Sequence, residues 1–268
     1  SKKIKNLSVI TTYRNYEKKL NSSVNLVIPS NKFWENGNRK IKYFICIILL
    51  IKEILRGRNL LVFTFQANLY CVIICKLFGI SIITRSNTAP DGWSNNKIKK
   101  FLYSCLLKKA DRVVVNSFEF KRKMKKFFNI KCECIYNPLN KKDIMRLSKA
   151  KTKKIFSRTN KLKIINIGRI VDQKDQITLL KALNIIRKKI DFEALILGRG
   201  ILKNSLLNYI SENNLTKHVK IINFQNNPYK FLRQSDVFIL TSKFEGLPNV
   251  LLETIVLKKF IISSDCPT

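Results

Sequence analysis

The stretch KLKIINIGRIVDQKDQITLLKALNIIRKKIDFEALILGRG, residues 161–200, decides the fold class. Two apolar runs of strand length, KLKIINIG and FEALILG, each end in a glycine, and a segment with apolar residues at helical spacing joins them. Strands that are apolar at almost every position are typical of parallel sheets covered by helices on both faces. The stretch therefore predicts a strand–helix–strand unit of a parallel α/β sheet.

The same alternation of apolar strands and helices continues on both sides of this unit. Further strands are predicted at 59–65, 80–87, 111–117, 132–138, 219–224, 237–242 and 260–264. We therefore expect two doubly wound domains, at 1–150 and 161–268, whose parallel sheets face one cleft where a ligand binds. Residues 140–160 are rich in cations and poor in large apolar side chains, and the basic linker is placed at 151–160.

The chain is strongly basic. Its 268 residues include 52 lysines and arginines against 17 acids, for a formal net charge of +35. Because the lysines are dispersed, solvated helix faces in a lysine-rich proteome explain this charge as well as a polyanionic partner does. Among partners, an anionic membrane surface attracts each nearby cation by about 1 kcal/mol, and phosphorylated substrates are drawn to the same charge. Nucleic acid is not expected as a partner.

The sequence predicts a cytoplasmic protein without a membrane span. The first residues, SKKIKNLSVI, have no starting methionine and no signal-type apolar region, so we expect a fragment that is not secreted. The seven cysteines lack Cys-x-x-Cys spacing and lie mostly in apolar runs, as buried thiols of a reduced compartment do. FICIILLI (44–51) is far shorter than the ~20 residues of a spanning helix and indicates a buried or interfacial helix. Polar residues divide 59–84 into strand, helix and strand.

Two cations follow the first glycine turn of the opening stretch. Gly168 ends the strand, and Arg169 and Lys174 precede the helix. Cations beside helix amides suit a diphosphate, although two solvated loop cations remain an alternative. The second strand ends in LILGRG, where Gly198 permits close approach of a ligand. The full Gly-x-Gly-x-x-Gly fingerprint is missing, which disfavours a dinucleotide-dependent dehydrogenase.

Two glutamates stand around a turn in TSKFEGLPNVLLETIVLKK, residues 241–259. Glu245 is predicted on the turn and Glu253 on the helix, with Pro248 at the first helical position. The two carboxylates could bind hydroxyls at the two ends of a nucleotide-sugar, with helix amides and cations holding the diphosphate between them. The alternative, an ordinary turn acid and an ordinary helix acid, explains Glu253 poorly, because burying an unpaired carboxylate among apolar neighbours is costly.

The motifs GRIVDQK, LILGRG, SDVFILTSKFEGLPNVLLE and ISSDCPT resemble, in order and spacing, those of retaining glycosyltransferases of the GT-B fold, group 1 or family 4. The resemblance covers nearly all of residues 161–268. TRSN, ADRVVVNS and IYNP are similar, more loosely, to the acceptor domain of bacterial enzymes that build surface polysaccharides, including capsule and lipopolysaccharide. The resemblance implies two Rossmann-like domains in the GT-B architecture.

The resemblance also implies roles for the matched residues. Arg169 and Lys174 would neutralise the donor diphosphate and Glu245 would contact sugar hydroxyls, and these three are the expected catalytic residues. Glu253 would hold the ribose, and FQNNPYKFL (224–232) would lie near the base. The chemistry would be transfer with retention, aided by stabilisation of the leaving diphosphate. The expected donor-binding residues are Gly168, Gly198, Gly246, Leu247, Pro248, Asn249 and Glu253.

The implied substrates are a nucleotide-sugar, UDP-linked, and a glycan or lipid-linked acceptor at the inner face of the cell membrane. Arg85, Ser86 and Asn87, at the end of one predicted strand, are the expected acceptor-side residues. No cofactor and no metal are expected, because the family needs none and the chain has no Asp-x-Asp pair. The only histidine, His218, is expected to be structural or exposed.

Two features depart from the family pattern. The glycine-rich loop of the acceptor domain is absent from SKKIKNLSVITTYRN, and the C-terminal helix that returns to the first domain is also absent, so truncation at both ends is expected. Two other functions stay open. One is a GT-B nucleotide-sugar epimerase, which would need additional acid and base groups in both domains. The other is a non-catalytic fragment that binds a membrane surface.

Overall fold

The structure is a computed structural model that describes residues 6–14, 20, 23–57, 59–86, 97–152, 155–157 and 160–266. The contacts within the chain divide it into two compact units. The second unit contains residues 116–120 and the chain from Ile135 onward, and the first contains the other described residues.

Strands and helices alternate along most of the described chain. The strands are β1 (Leu7–Ile10), β2 (Val24–Val27), β3 (Leu61–Thr64), β4 (Ser81–Ser86), β5 (Arg112–Val115), β6 (Glu133–Cys134), β7 (Leu162–Ile167), β8 (Phe192–Leu197), β9 (Val219–Ile222), β10 (Val237–Leu240) and β11 (Phe260–Ser263). The helices are α1 (Arg39–Leu55), α2 (Asn68–Leu77), α3 (Lys97–Leu107), α4 (Phe118–Phe128), α5 (Lys141–Ser148), α6 (Gln176–Ile186), α7 (Lys203–Glu212), α8 (Tyr229–Leu232) and α9 (Asn249–Val256).

The sheet of the second unit is parallel throughout, in the order β11-β10-β7-β8-β9. Successive residues of a strand point to opposite faces, so Ile164 and Ile196 join one core while Ile165 and Leu195 join another. The first core contains side chains of α6 and α7, and the second contains side chains of α8 and α9. Helices thus cover both faces, and the doubly wound prediction is confirmed for this unit.

The strand order creates a topological switch point between β7 and β10. From β7 the chain proceeds outward through β8 to β9, and it then crosses to β10 on the other side of β7. The loops at the carboxyl ends of β7 and β10 therefore diverge, and open α/β sheets bind their ligands at such a crevice.

The first unit has a parallel sheet in the order β3-β4-β5-β6 and a separate parallel pair, β1 and β2. Its core joins Leu50 of α1, Val72 and Cys75 of α2 and Ile82 of β4. Burial raises the pKa of Cys75 to about 11, so this thiol stays protonated and unreactive at neutral pH. Parallel pairing of apolar strands agrees with the sequence prediction.

The two long apolar runs of the first unit form the helices and strands that the sequence predicts. Residues 44–51 lie within α1, and residues 59–84 contain β3, α2 and most of β4, as predicted. On α1, Leu50 is buried while Phe44 is exposed. The helix is therefore only partly buried, and its exposed face includes an apolar side chain. No helix within the described ranges has both the length and the apolar character needed to span a bilayer.

A helix, α5, occupies the first part of the basic stretch 140–160, where the sequence predicts no regular element. Asn140 caps it, because its Oδ1 accepts a hydrogen bond of 3.1 Å from the amide of Asp143. Ile144 is buried, and α5 packs on α8 and α9. The helix has only eight residues, three of them lysine or arginine, so its three apolar side chains did not set it apart from the cation-rich stretch. The predicted strand at 132–138 is likewise reduced to the two residues of β6.

Gly198→Ala tests how closely the ends of β7 and β8 approach. A Cβ at position 198 would lie 1.8 Å from the carbonyl oxygen of Gly168, which is a backbone atom and cannot move aside cheaply. We expect the substitution to lower the free energy of unfolding in urea by about 3 kcal/mol. The control is Gly168→Ala, whose Cβ would meet only the side chain of Lys174 at 3.7 Å. Equal losses for the two variants would contradict the close packing.

Candidate functional site

The turns after β7 and β8 lie against each other beside the switch point. The amide of Gly168 donates to the carbonyl of Leu197 at 3.0 Å, and the amide of Ile170 donates to that of Arg199 at 2.9 Å. The space in which a side chain at Gly198 would stand is filled by the other turn. The structure gives Gly198 a packing role, and its contact with a ligand remains a prediction.

An ion pair between Lys174 and Glu245 joins the loops that follow β7 and β10. Lys174 ends a short 3-10 helix, Asp172–Lys174, and its Nζ donates to Oε1 of Glu245. Only 13% of the lysine side chain and 7% of the glutamate side chain are exposed. Ser242 Oγ donates to the same Oε1 at 2.6 Å. A cation and a hydroxyl thus compensate the buried carboxylate, as its desolvation requires.

Gln173 fixes the same two loops relative to each other. Its side-chain Nε2 donates to the backbone carbonyl of Phe244 at 3.0 Å. Its backbone carbonyl accepts from the amide of Lys243 at 2.9 Å. Thr241 Oγ1 adds a hydrogen bond of 2.9 Å to the carbonyl of Asp175. The ion pair therefore sits between loops that are held by several further hydrogen bonds.

Arg169 joins this group through Gln173. Its guanidinium donates to Oε1 of Gln173 at 3.0 Å, while its carbonyl accepts from Nε2 of the buried Gln176 at 2.9 Å. The residue itself is exposed, so its charge can be reached by a ligand. The structure thus brings together Arg169, Lys174 and Glu245, which the sequence predicts from two separate motifs.

The Gly246-Leu247 segment leads from Glu245 into α9, which begins at Asn249. Pro248 is the N-cap residue, one position before the first helical position that the sequence predicts for it. Asn137 fixes this turn from outside the motif, since its Nδ2 donates to Oδ1 of Asn249 at 2.6 Å and to the carbonyl of Leu247 at 3.2 Å. The first amides of α9 are thereby held in one place.

Glu253 lies on α9, and the hydroxyl of Tyr229 donates to its Oε1 at 3.1 Å. Burial raises the pKa of Glu253, and the Tyr229 hydroxyl opposes this rise by stabilising the carboxylate. Burial, together with the charge of Glu253, raises the pKa of Tyr229 to about 12, so the phenol remains a donor at neutral pH. Both side chains line a recess of about 250 Å³. The other lining residues are Pro138, Leu139, Asn140, Asp143, Ile144, Leu147 and Asn249.

The expected acceptor-side residues belong to the first unit. Arg85 and Ser86 are the last residues of β4, and both are buried. The carbonyl of Arg85 accepts a hydrogen bond of 2.9 Å from Nδ2 of Asn68. Asn87 lies outside the described residues. His218 is in the second unit, where its ring packs on that of Phe192 with a centroid separation of 5.3 Å.

Several partners of the predicted residues were not found from the sequence. Ser242 and Gln173 stand three and one positions before Glu245 and Lys174, so an inspection of neighbouring polar residues could have found them. Tyr229 is 24 positions from Glu253, and no local periodicity joins the two. Asn137 is 110 positions from Leu247 and reaches it only because the chain from Ile135 onward folds with the second unit.

Lys174→Ala tests the energetics of the buried ion pair. The substitution leaves the Glu245 carboxylate buried without its cation, and we expect a loss of about 3 kcal/mol in the free energy of unfolding in urea. The control is Lys243→Ala, which removes a pair with Asp172, at 2.5 Å, whose two side chains are largely exposed. We expect that control to change stability little, because water screens exposed pairs. If both variants lowered the free energy of unfolding by the same amount, the buried pair of Lys174 would be no more important to stability than an exposed pair.

Comparison with known proteins gives a consistent assignment. Residues 148–268 match the family model of glycosyl transferases group 1. The chain is 31% identical over 206 residues to an N-acetylgalactosamine-N,N'-diacetylbacillosaminyl-diphospho-undecaprenol 4-alpha-N-acetylgalactosaminyltransferase of Campylobacter jejuni, covering 73% of this chain and 54% of that protein. It is 32% identical over 215 residues to an uncharacterized glycosyltransferase of Methanocaldococcus jannaschii, covering 74% of this chain and 52% of that protein. The chain thus spans about half the length of these curated relatives.

Solved structures show the same fold at low sequence identity. A glycosyltransferase from Rickettsia africae superposes with a TM-score of 0.72 at 18% identity, over 98% of this chain and 72% of that one. Anabaena HepE in complex with UDP and glucose gives a TM-score of 0.70 at 15% identity, over 97% and 73%. Likeness at these identities concerns the fold, and it confirms the fold class that the sequence predicts. The chain has the GT-B fold, and its residues 148–268 match the model of glycosyl transferases group 1.

Proposed function

We propose that this chain transfers a sugar from a nucleotide-sugar, UDP-linked, to a glycan or lipid-linked glycan with retention of anomeric configuration. The observation that carries the proposal is the cluster of Arg169, Lys174 and Glu245 at the switch point of a group 1 glycosyltransferase domain. Two cations and a carboxylate at the carboxyl ends of β7 and β10 suit a diphosphate attached to a hydroxyl-rich group.

The names of the relatives support a surface glycan or polysaccharide as the product. The Campylobacter jejuni relative is named for a glycan carried on diphospho-undecaprenol. Other relatives are named for capsular polysaccharide biosynthesis in Staphylococcus aureus and O-antigen biosynthesis in Escherichia coli. We therefore place the activity in cell-surface polysaccharide synthesis, with Arg85, Ser86 and Asn87 on the acceptor side.

The contacts of Lys174 and Glu245 leave capacity for a ligand. A lysine ammonium has three N–H donors, and Lys174 directs one of them at Glu245, so the others can reach phosphate oxygens. Oε1 of Glu245 accepts from Lys174 and Ser242, whereas Oε2 accepts no hydrogen bond from any described residue. That oxygen can accept from a donor-sugar hydroxyl, while the amides of Gly246 to Asn249 lie beside the diphosphate.

The proposed reaction exchanges two bonds at the anomeric carbon. The bond to the diphosphate oxygen breaks, a bond to the acceptor hydroxyl oxygen forms on the same face, and the acceptor proton passes to the departing phosphate. Negative charge grows on the diphosphate in this step, so Arg169 and Lys174, already positioned, stabilise the transition state more than the ground state. We propose that these cations act without a metal ion.

Nucleotide binding tests the donor proposal. We expect UDP and one or more UDP-sugars, at a hundredfold excess over Kd, to raise Tm by several degrees, about 5 °C. Lys174→Ala and Glu253→Ala should abolish the shift, because the first removes a contact with the diphosphate and the second removes a contact with the ribose. Lys181→Ala, an exposed cation on α6, is the control and should keep it.

Two results would change the proposal, one from the Tm measurements and one from an assay of the products formed from the UDP-sugars. Absence of stabilisation of the wild-type chain by every nucleotide and nucleotide-sugar tested would remove a donor site. Conversion of a bound UDP-sugar to its epimer, without release of UDP, would favour the epimerase instead.

Vesicle binding tests a membrane location. The net charge of +35 and a lipid-linked acceptor both favour peripheral attachment to an anionic inner membrane face. We expect the chain to co-sediment with phosphatidylglycerol vesicles at low salt and to dissociate at about 0.5 M salt, where exposed charges are screened. Phosphatidylcholine vesicles are the neutral control. Binding that is absent, or equal for both lipids, would leave the charge as a solvated surface.

A further inference from the structure

Tyr229 occupies a position that packing determines closely. It is the first residue of α8, whose Phe231 and Leu232 are buried in the core on that face of the sheet. Before it, Asn227 donates from Nδ2 to the carbonyl of Leu147 at 2.9 Å, which ties the loop to the end of α5. The phenol of Tyr229 therefore has little freedom to leave Glu253.

Glu253 is also fixed by its helix. Thr254, the next residue, is fully buried, and Val250 and Leu251 of the same helix pack against the core that holds α8. The contact between the two side chains, 3.1 Å from phenol to Oε1, thus joins two elements that cannot easily separate. Oε2 of Glu253 accepts no hydrogen bond from the described part of the chain.

We propose that Tyr229 is a positioning residue for Glu253, holding Oε1 so that Oε2 is presented to the vicinal hydroxyls of a nucleotide ribose. This inference rests on the proposed function, since it requires a nucleotide donor. The phenol is a neutral donor, so it orients the carboxylate without cancelling the charge that makes the carboxylate a strong acceptor.

The second effect of the phenol is on ionisation. Burial raises the pKa of Glu253, and a protonated carboxyl would lose one of its acceptors for ribose. A hydrogen bond to the ionised form lowers the pKa and so extends ribose binding to lower pH. Among the described residues, the titratable groups that face the recess are Tyr229 from α8, Asp143 from α5 and Glu253 from α9. Asp143 is paired with Arg146 at 2.9 Å.

The test is a calorimetric titration of UDP into the full chain between pH 5 and pH 8, for wild type and Tyr229→Phe. At pH 8 we expect Kd to rise about three- to tenfold, because the variant loses the fixed orientation of Glu253 but keeps its carboxylate. Because Glu253 loses a donor that favours its ionised form, the pH below which UDP binding weakens should move upward. A side chain that only packs would leave this pH profile unchanged, since phenylalanine keeps the ring.

A double-mutant cycle with Glu253→Gln separates positioning from a direct contact between Tyr229 and the ligand. If Tyr229 acts through the carboxylate, Tyr229→Phe should change Kd by less than about twofold in the Glu253→Gln background. Asp143→Asn should leave the pH profile of wild type in place. Tyr209→Phe is the matched control, because Tyr209 packs against the opposite core and should leave Kd unchanged.

The outcomes distinguish this inference from the proposed function. If wild type does not bind UDP, the donor proposal itself fails. If wild type binds UDP, the inference is overturned when Tyr229→Phe binds with the wild-type affinity and pH profile. It is also overturned when Tyr229→Phe loses the same affinity in the wild-type and Glu253→Gln backgrounds, because the phenol then acts on the ligand directly.

Discussion

The buried ion pair between Lys174 and Glu245 is the interaction on which the site depends. It forms only because β7 and β10 are neighbours in the sheet although 71 residues separate the paired side chains. An uncompensated charge at such low exposure would be expensive, so the pair constrains both loops at once. Gln173 and Thr241 then add hydrogen bonds between the same loops. A rigid crevice at the switch point is the result.

The sheet supports this crevice with a mainly apolar centre, in which Asn166 of β7 is a buried polar exception that donates from Nδ2 to the carbonyl of Ile239 at 2.8 Å. Ile164, Ile165, Leu195 and Ile196 fill the two cores from alternate positions of β7 and β8. The charged residues of the cluster, Arg169, Lys174 and Glu245, lie beyond the ends of β7 and β10, where the loops can offer them to a ligand. Gly198 allows the two turns to touch, which places the end of β8 against the loop that carries Arg169.

Local sequence patterns were sufficient for the parallel sheets and for the residues of the cluster. The runs KLKIINIG and FEALILG contain strands β7 and β8, whose side chains are all buried or half-buried, and burial of this kind is visible in an apolar composition. The motifs around Lys174 and Glu245 indicated two separate binding elements. Their pairing was not visible, because it depends on strand order and a sequence does not state which strand lies beside β7.

Helix α5 and its contacts show a second limit. It has only eight residues in a lysine-rich stretch, and Ile144 is its one buried apolar side chain, so the sequence was interpreted as a linker. The Asn140 cap and Asp143 were the available signal. Because α5 was missed, the recess beside Glu253 and the anchoring of the Tyr229 loop were missed as well.

The two carboxylates of the site are satisfied in different ways, and this difference separates their roles. Glu245 contacts a cation and a hydroxyl, so its charge is compensated before any ligand arrives. Among the described residues, Glu253 has a single neutral donor, the phenol of Tyr229, and burial raises the pKa of Glu253. A carboxylate in that state gains from each further hydroxyl that donates to it. In the proposed function, Glu245 therefore stays fixed while its Oε2 accepts from a donor-sugar hydroxyl, whereas Glu253 binds the diol of the ribose.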